Sequence, residues 1–179
     1  ERQVAVTIQN EHGDDIWVWD ITNTRLYPLT SQGESNVPQW TQKDKGERIV
    51  FRSKRNGVWA LFSTLANGGG DERQLTTGKP RNNVYPYAVS PGDEVMFADR
   101  AKGSAWIVPI TGDKPRLFLQ APQTSSSGLG TFGEGGSFSS DGRWIAIASD
   151  HAGSTQIYVR SFPDGKQVRQ ISTDGGVSP

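Results

Sequence analysis

Apolar residues along this chain come in short runs broken every few positions by glycine, proline or aspartate. Val4-Ala5-Val6, Ile16-Trp17-Val18-Trp19, Ile49-Val50-Phe51, Val95-Met96-Phe97, Ala105-Trp106-Ile107-Val108 and Trp144-Ile145-Ala146-Ile147-Ala148 are all strand-sized. No window of a dozen residues keeps apolar positions at i, i+3, i+4 and i+7 without a glycine, proline or charge cluster cutting it, so the pattern predicts strands and no substantial helix. Composition agrees, because 21 glycines and 10 prolines beside six tryptophans and one methionine favour short strands and tight turns. An all-β class follows.

The runs repeat in phase. Trp17, Phe62, Trp106 and Tyr158 are separated by 45, 44 and 52 residues. Each is preceded by a short apolar strand (Val4-Ala5-Val6, Ile49-Val50-Phe51, Val95-Met96-Phe97, Ile145-Ala146-Ile147) and followed by the pair Leu29-Thr30, Leu75-Thr76, Phe118-Leu119 or Ile171-Ser172. A fourth series, centred on Trp40, Val89 and Phe138 with spacings of 49 and 49, has three members and is missing from the first repeat. Its members run into Gln42-Lys43-Asp44-Lys45-Gly46, Pro91-Gly92-Asp93 and Ser140-Asp141-Gly142, where Gly and Asp supply the positive φ of tight turns. Each unit thus reads as four short strands, a (Trp40 type), b (Val50 type), c (Trp17 type) and d (Leu75-Thr76 type). Four antiparallel strands at a period of about 45 residues predict β-propeller blades whose aromatics pack against neighbouring blades. The expectation is a partial propeller of about four blades, the first without its inner strand, with repeats near 1–36, 37–83, 84–134 and 135–179. A β-sandwich with accidental periodicity is the alternative.

Charge and side-chain chemistry narrow the function. Nineteen basic residues balance nineteen acidic ones, which leaves no electrostatic footprint for nucleic acid or an anionic membrane. No apolar run approaches the roughly 20 residues that span a bilayer, so no membrane insertion is expected. There is no cysteine, which removes disulfides, thiolate metal sites and cysteine nucleophiles. The two histidines, His12 and His151, fall in equivalent b–c hairpins and read either as ligands brought to one face or as exposed hairpin residues. No His-x-x-x-His, Gly-x-Ser-x-Gly or Lys-Ser/Thr phosphate loop occurs, so zinc hydrolase, serine hydrolase and nucleotide-binding readings are unsupported and no cofactor is expected. Asp14-Asp15 and Asp71-Glu72 could offer carboxylates to a structural calcium ion but lack an alternating Asp-x-Asp-x-Asp loop, and the simpler reading is a solvated turn. Trp17, Trp40, Trp106 and Trp144 read as blade packing, with Trp19 and Trp59 unassigned.

The repeat resembles the TolB-like, or PD40, family of WD40-like propeller repeats. Phe138-Ser139-Ser140-Asp141-Gly142-Arg143-Trp144-Ile145-Ala146, then Ser149-Asp150, Gly153, Ile157-Tyr158-Val159 and Ile171-Ser172-Thr173-Asp174-Gly175-Gly176 carry the likeness most clearly. Arg48 to Gly57 and Arg73-Gln74-Leu75-Thr76 add to it. Two turns depart from the family's Pro-Asp-Gly order: Gln42 to Gly46 is longer, and Pro91-Gly92-Asp93 inverts it. The resemblance implies a propeller that binds other proteins, as in periplasmic TolB or in docking modules of bacterial signalling proteins. Similar repeats also form the lid of prolyl-oligopeptidase-type peptidases. Fold does not fix activity, so three functions stand: a non-catalytic protein-binding scaffold in the periplasm or outside the cell, the gating propeller of a hydrolase with its catalytic residues elsewhere, and a glycan- or ion-binding propeller. The chain's phase also suggests an excised portion of a longer protein or closure by self-association.

Connectivity singles out one end of the blades. In a four-stranded antiparallel blade the b–c hairpins and d–a crossovers emerge together, opposite the a–b and c–d turns. The first group carries His12, Arg55, Asn56, Arg100, Lys102 and His151 in hairpins, and Arg81, Asn82, Phe132 and Glu134 in crossovers. The long crossover from Gln123 to Gly135 accounts for the spacing of 52, and irregular segments on a rigid scaffold are where binding residues concentrate. These ten residues are the candidate partner-binding set.

Overall fold

The computed structural model describes residues 2–42, 47–77, 84–100, 102–120, 132–150 and 153–179, with residues 132–134 described as backbone only. Fifteen strands occur among the described residues, and no helix. They form four antiparallel sheets in chain order. Blade 1 holds β1 (Gln3–Asn10), β2 (Gly13–Asp20) and β3 (Arg25–Pro28). Blade 2 holds β4 (Glu34–Trp40), β5 (Arg48–Arg55), β6 (Val58–Leu65) and β7 (Arg73–Gln74). Blade 3 holds β8 (Val84–Val89), β9 (Glu94–Asp99), β10 (Ser104–Pro109) and β11 (Arg116–Gln120). Blade 4 holds β12 (Phe132–Phe138), β13 (Trp144–Ser149), β14 (Gln156–Ser161) and β15 (Val168–Gln170). The chain is therefore an all-β partial propeller whose first blade has three strands and no inner one.

The blades stack because each sheet is apolar on both faces, with the period-two alternation of a pleated strand deciding which neighbour each residue meets. Ile49 and Phe51 point back to blade 1, joining Ile16, Val18, Ala60 and Phe62 in one cluster. Val50, between them, points forward and joins Leu61, Leu75, Val84, Val95, Phe97 and Val108 at the blade 2–3 seam. Met96 and Ala98 then face Ile145, Ile147 and Tyr158 at the blade 3–4 seam. The in-phase aromatics follow suit: Phe62, Trp106 and Tyr158 each face the preceding blade. Trp40 packs at the first seam and Trp59 and Trp106 at the second.

Two sequence expectations are corrected here. Trp17 and Trp144 are not between blades: Trp17 lies on the face of blade 1 turned away from blade 2, paired across the sheet with Val6, and Trp144 is 36 % exposed on the outer face of blade 4. Trp17 keeps the register of packed Phe62 and Trp106, whereas Trp144 shares its register with Arg48 and Glu94 at the start of strand b, and no neighbouring blade among the described residues covers either. The pairs assigned to strand d also sit slightly beyond it. Leu29-Thr30, Leu75-Thr76 and Ile171-Ser172 follow β3, β7 and β15 and close them onto strand c. The Leu75 N–H donates to the Leu61 carbonyl at 2.7 Å, and the Thr76 Oγ1 accepts the Leu61 N–H at 2.9 Å. Thr30 and Ser172 accept from Ile16 and Ile157 in the same way, at 2.9 and 2.8 Å. The repeated hydroxyl satisfies a strand-c amide where the edge ladder ends, which explains why this position is polar after an apolar one. Blade 3 departs: there β11 runs on to Gln120, past a bulge at Ala105/Trp106.

Each inner strand carries its own irregularity, at Asn36/Gln39, Pro86/Ala88 and Phe132/Gly136. A bulge lets the strand bend where blades converge, and positive φ at Val37 (56°) and Gly135 (102°) accompanies two of them. For this reason the inner strands begin earlier than hydrophobic pattern indicated. Phe132 and Glu134 lie in the backbone of β12 instead of in the crossover, Phe132 paired with Ser149 of blade 4's own strand b and Glu134 within the irregularity that follows.

Candidate functional site

The end of the blades that carries the b–c hairpins is built from tight turns. In blade 2 the strands β5 and β6 are joined by Asn56 and Gly57 at φ 52° and 79°, the positive pair that a two-residue type I′ hairpin needs. That geometry accounts for Asn56 as a turn residue. Arg55, just before it, does not project from the end: its guanidinium folds back over Phe62, 4.0 Å from the ring centroid, and pairs with Glu72 through Nη2 and Oε2 at 2.8 Å. His12 is highly exposed, with its Nε2 3.7 Å from Glu11 Oε1, while its backbone N–H donates to Asn10 Oδ1. Lys102 is exposed, with its backbone tied to Asp99 and its carbonyl accepting from Gln120 Nε2. Arg81, Asn82 and His151 lie outside the described residues, as do the side chains of Phe132 and Glu134.

Of the candidate set, Arg100 enters a constellation. Its guanidinium carbon is 4.2 Å from the Tyr85 ring centroid. The same ring lies 3.8 Å from the guanidinium carbon of Arg52, which is also 3.8 Å from the ring of Trp59. Lys54 Nζ stands 5.9 Å from the Trp59 ring centroid. The result is an array of cations and rings, Lys54, Trp59, Arg52, Tyr85 and Arg100, bridging blades 2 and 3 near the b–c hairpins. Strand geometry builds it: Lys54 pairs with Trp59 across β5 and β6, and Tyr85 enters β8 opposite Ala98.

Arg52 is the unusual member. It occupies a forward-facing, otherwise apolar position of strand b, equivalent to Ala98 in blade 3 and Ala148 in blade 4, and only 7 % of it is exposed. Its Nε and Nη1 have no hydrogen-bond acceptor among the described residues, nor does any described carboxylate pair with it. Burying a guanidinium without a counter-charge costs several kcal/mol, and two desolvated cation–π contacts at about 2 kcal/mol each offset part of that. Hydrogen-bonding capacity is left over. Lys54, by contrast, is 3.8 Å from Glu34, and Arg55 is paired as above, so most of the local positive charge is matched. The sequence reading missed Arg52, Tyr85 and Trp59. The available signal was a cation breaking the run Ile49-Val50-Phe51-Arg52 where every neighbouring position is core.

The acidic pairs weighed as calcium ligands are otherwise engaged. Asp14 and Asp15 lie in β2, not in a turn; Asp14 accepts from Asn36 Nδ2 and Asp15 from the Thr30 hydroxyl, each at 2.9 Å. Asp71 pairs with Arg48 and Arg73, which hold its carboxyl below the usual range.

No family model and no curated protein sequence matches this chain. Solved structures do. TolB from Acinetobacter baumannii superposes with a TM-score of 0.73 at 16 % identity, over 98 % of this chain and 42 % of that one. The fold is that of a TolB-like β-propeller. A putative TolB from Agrobacterium tumefaciens agrees, at TM-score 0.73 and 18 % identity over 94 % of this chain and 60 % of that one. Puromycin hydrolase is similar over 90 % of this chain and 26 % of its own, at TM-score 0.63 and 10 % identity. This chain therefore spans about half the length of the TolB proteins it resembles, and at these identities the likeness is one of fold. In the TolB-like frame β4, β8 and β12 are the inner strands, and the cation–aromatic array stands where the inner strand of blade 3 begins.

Proposed function

We propose that this chain is a non-catalytic, protein-binding segment of a TolB-like propeller that works in the periplasm or outside the cell, and that it engages its partner through the end carrying the b–c hairpins. The observation that supports this reading most is the array of Arg52, Trp59, Tyr85 and Arg100, because aromatic and arginine side chains on a rigid frame are the residue types that dominate protein interfaces. The two uncovered blade faces favour a further expectation, that additional blades or a second copy complete the stack. A photo-crosslinking residue placed at Asn56 or Lys102, and in separate variants at Asn67 or Thr111 on the opposite end, tests the reading in cells. One defined protein adduct from the first pair, reproduced with that protein purified, is expected. Adducts formed only from the opposite end would overturn the reading. The rival, a hydrolase gating propeller, takes its support from the puromycin hydrolase likeness and predicts an α/β-hydrolase segment elsewhere in the same gene.

A further inference from the structure

We propose that Arg52, enclosed between Trp59 and Tyr85 at the blade 2–3 seam, is the receptor for a carboxylate presented by the protein partner, with Arg100 as the second cation of that site. The inference rests on the protein-binding reading and deepens it to a chemical class of ligand group.

Three features point to this chemistry. The two rings cover the faces of the Arg52 guanidinium at 3.8 Å each, so a ligand can approach only in the guanidinium plane, where the N–H bonds point. Nε and Nη1 are buried without an acceptor, so a planar carboxylate docking from the Nη2 side brings its second oxygen to a donor that is otherwise left unsatisfied. The surrounding charge is low, because Lys54 is close to Glu34 and Arg55 is paired with Glu72. A single, mono-anionic, planar group with apolar surface beside it suits such a site better than a phosphate or a polyanion. Position adds to the case. The corresponding strand-b residues, Ala98 and Ala148, are buried, so the stack of blades does not itself require a cation there. A purely structural clasp between blades 2 and 3 is the competing account, and it needs no ligand.

The test titrates the intact chain with N-acetyl-glutamate α-methylamide, whose side chain is its single carboxylate, and at matched ionic strength with N-acetyl-glutamine α-methylamide, which has none, and inorganic phosphate, following the Arg52 Nε–H and Trp59 indole N–H signals by NMR. Expected is a saturable shift of both signals with the glutamate α-methylamide, at least tenfold weaker binding of the other two probes, loss of the Trp59 response in R52M, and several-fold weaker binding in R100M. Absence of a saturable shift in the wild-type protein, an unchanged Trp59 response in R52M, or phosphate binding as well as the carboxylate would each overturn the proposal. The amide spectrum shows whether R52M is folded; should it not be, the wild-type comparison of carboxylate with phosphate and the R100M titration decide. Retained cross-linking at Asn56 and Lys102 without any carboxylate response would reject this assignment alone, whereas loss of both would reject the protein-binding reading beneath it.

Discussion

The blade 2–3 seam and the outer face of blade 1 are written in the same pattern and have opposite fates. At the seam Val50, Leu61, Leu75, Val84, Val95, Phe97 and Val108 are wholly buried. On the outer face of blade 1 the cross-strand set Val4, Val6, Trp17, Trp19 and Leu26 keeps the same alternation, yet Val4 is 44 % and Leu26 43 % exposed. Apolar patterning on both faces is thus a property of the repeat, while burial is a property of what stands next to it. In a quasi-one-dimensional stack each unit's stability comes largely from its neighbours, so interior and terminal blades should answer very differently to the same substitution.

The largest difference is expected in side-chain truncation. Phe51, fully buried and stacked 6.0 Å from Phe62, should cost about 3–5 kcal/mol on replacement by alanine, from lost transfer energy and the cavity left behind. Leu26→Ala, at an equivalent depth of patterning but uncovered, should cost below about 0.5 kcal/mol. Urea unfolding of the two variants checks this, and equal costs would mean that the outer face of blade 1 is covered in solution.

Next in size is the hydroxyl that closes strand d. Thr76→Val leaves the buried Leu61 N–H without its acceptor and should destabilise by about 1–2 kcal/mol. Blade 3 has no such hydroxyl, so Leu119→Ser should not recover a comparable gain; amide exchange at Leu61 and Ala105 separates the two cases. A smaller effect is expected at the seam's own polar residue. Arg52→Met, similar in volume, should leave stability within about 1 kcal/mol of wild type or raise it, since exchanging a buried charge for an apolar side chain is often neutral or stabilising. A loss of several kcal/mol would identify the stack as a structural clasp.

Much of this architecture was legible in the sequence because propeller blades announce themselves locally. Strand period, the in-phase aromatics and the missing first inner strand all follow from nearest-neighbour patterning, and β1–β3 as a three-stranded sheet is what the repeat predicted. Turns were legible where they obey φ: the inverted Pro91-Gly92-Asp93 still bends as Ser140-Asp141-Gly142 does, with Asp93 at φ 59° taking the place of Gly142 at φ 68°. The bulged starts of β4 and β12 were not legible, since an extra residue breaks the alternation that marks a strand. Nor was the cation–aromatic array. Arg52 and Trp59 lie on adjacent strands of one blade, but Tyr85 arrives from the next, and only the stacking of blades brings it within 3.8 Å. Connectivity placed Arg100 in a b–c hairpin, where its guanidinium meets the Tyr85 ring, whereas Arg55 was assigned to the end by position and is drawn away by Phe62 and Glu72.

The smallest expected effect compares the a–b turns of the interior and terminal blades. In blade 4 Asp141 accepts from the Ser139 hydroxyl, from the Arg143 backbone N–H at 3.0 Å and from Arg143 Nε at 2.7 Å, and these bonds hold its carboxyl well below the usual carboxylate range. Blade 3 has Gly92 in that place, with no carboxylate to make these bonds. Because the folded-state value is depressed, the stabilisation from Asp141 is fully present above the unfolded value of about 3.9 and is lost as pH falls through the folded one. Acid titration should therefore loosen the Gly142 and Arg143 amides before those of Asp93 and Glu94, and Asp141→Asn should remove the pH dependence while leaving the turn, whose Gly142 N–H donates to the Ser139 carbonyl at 2.9 Å, in place. An Asp141 carboxyl that titrates at the ordinary value by carbon NMR would show that the turn does not depend on this carboxylate.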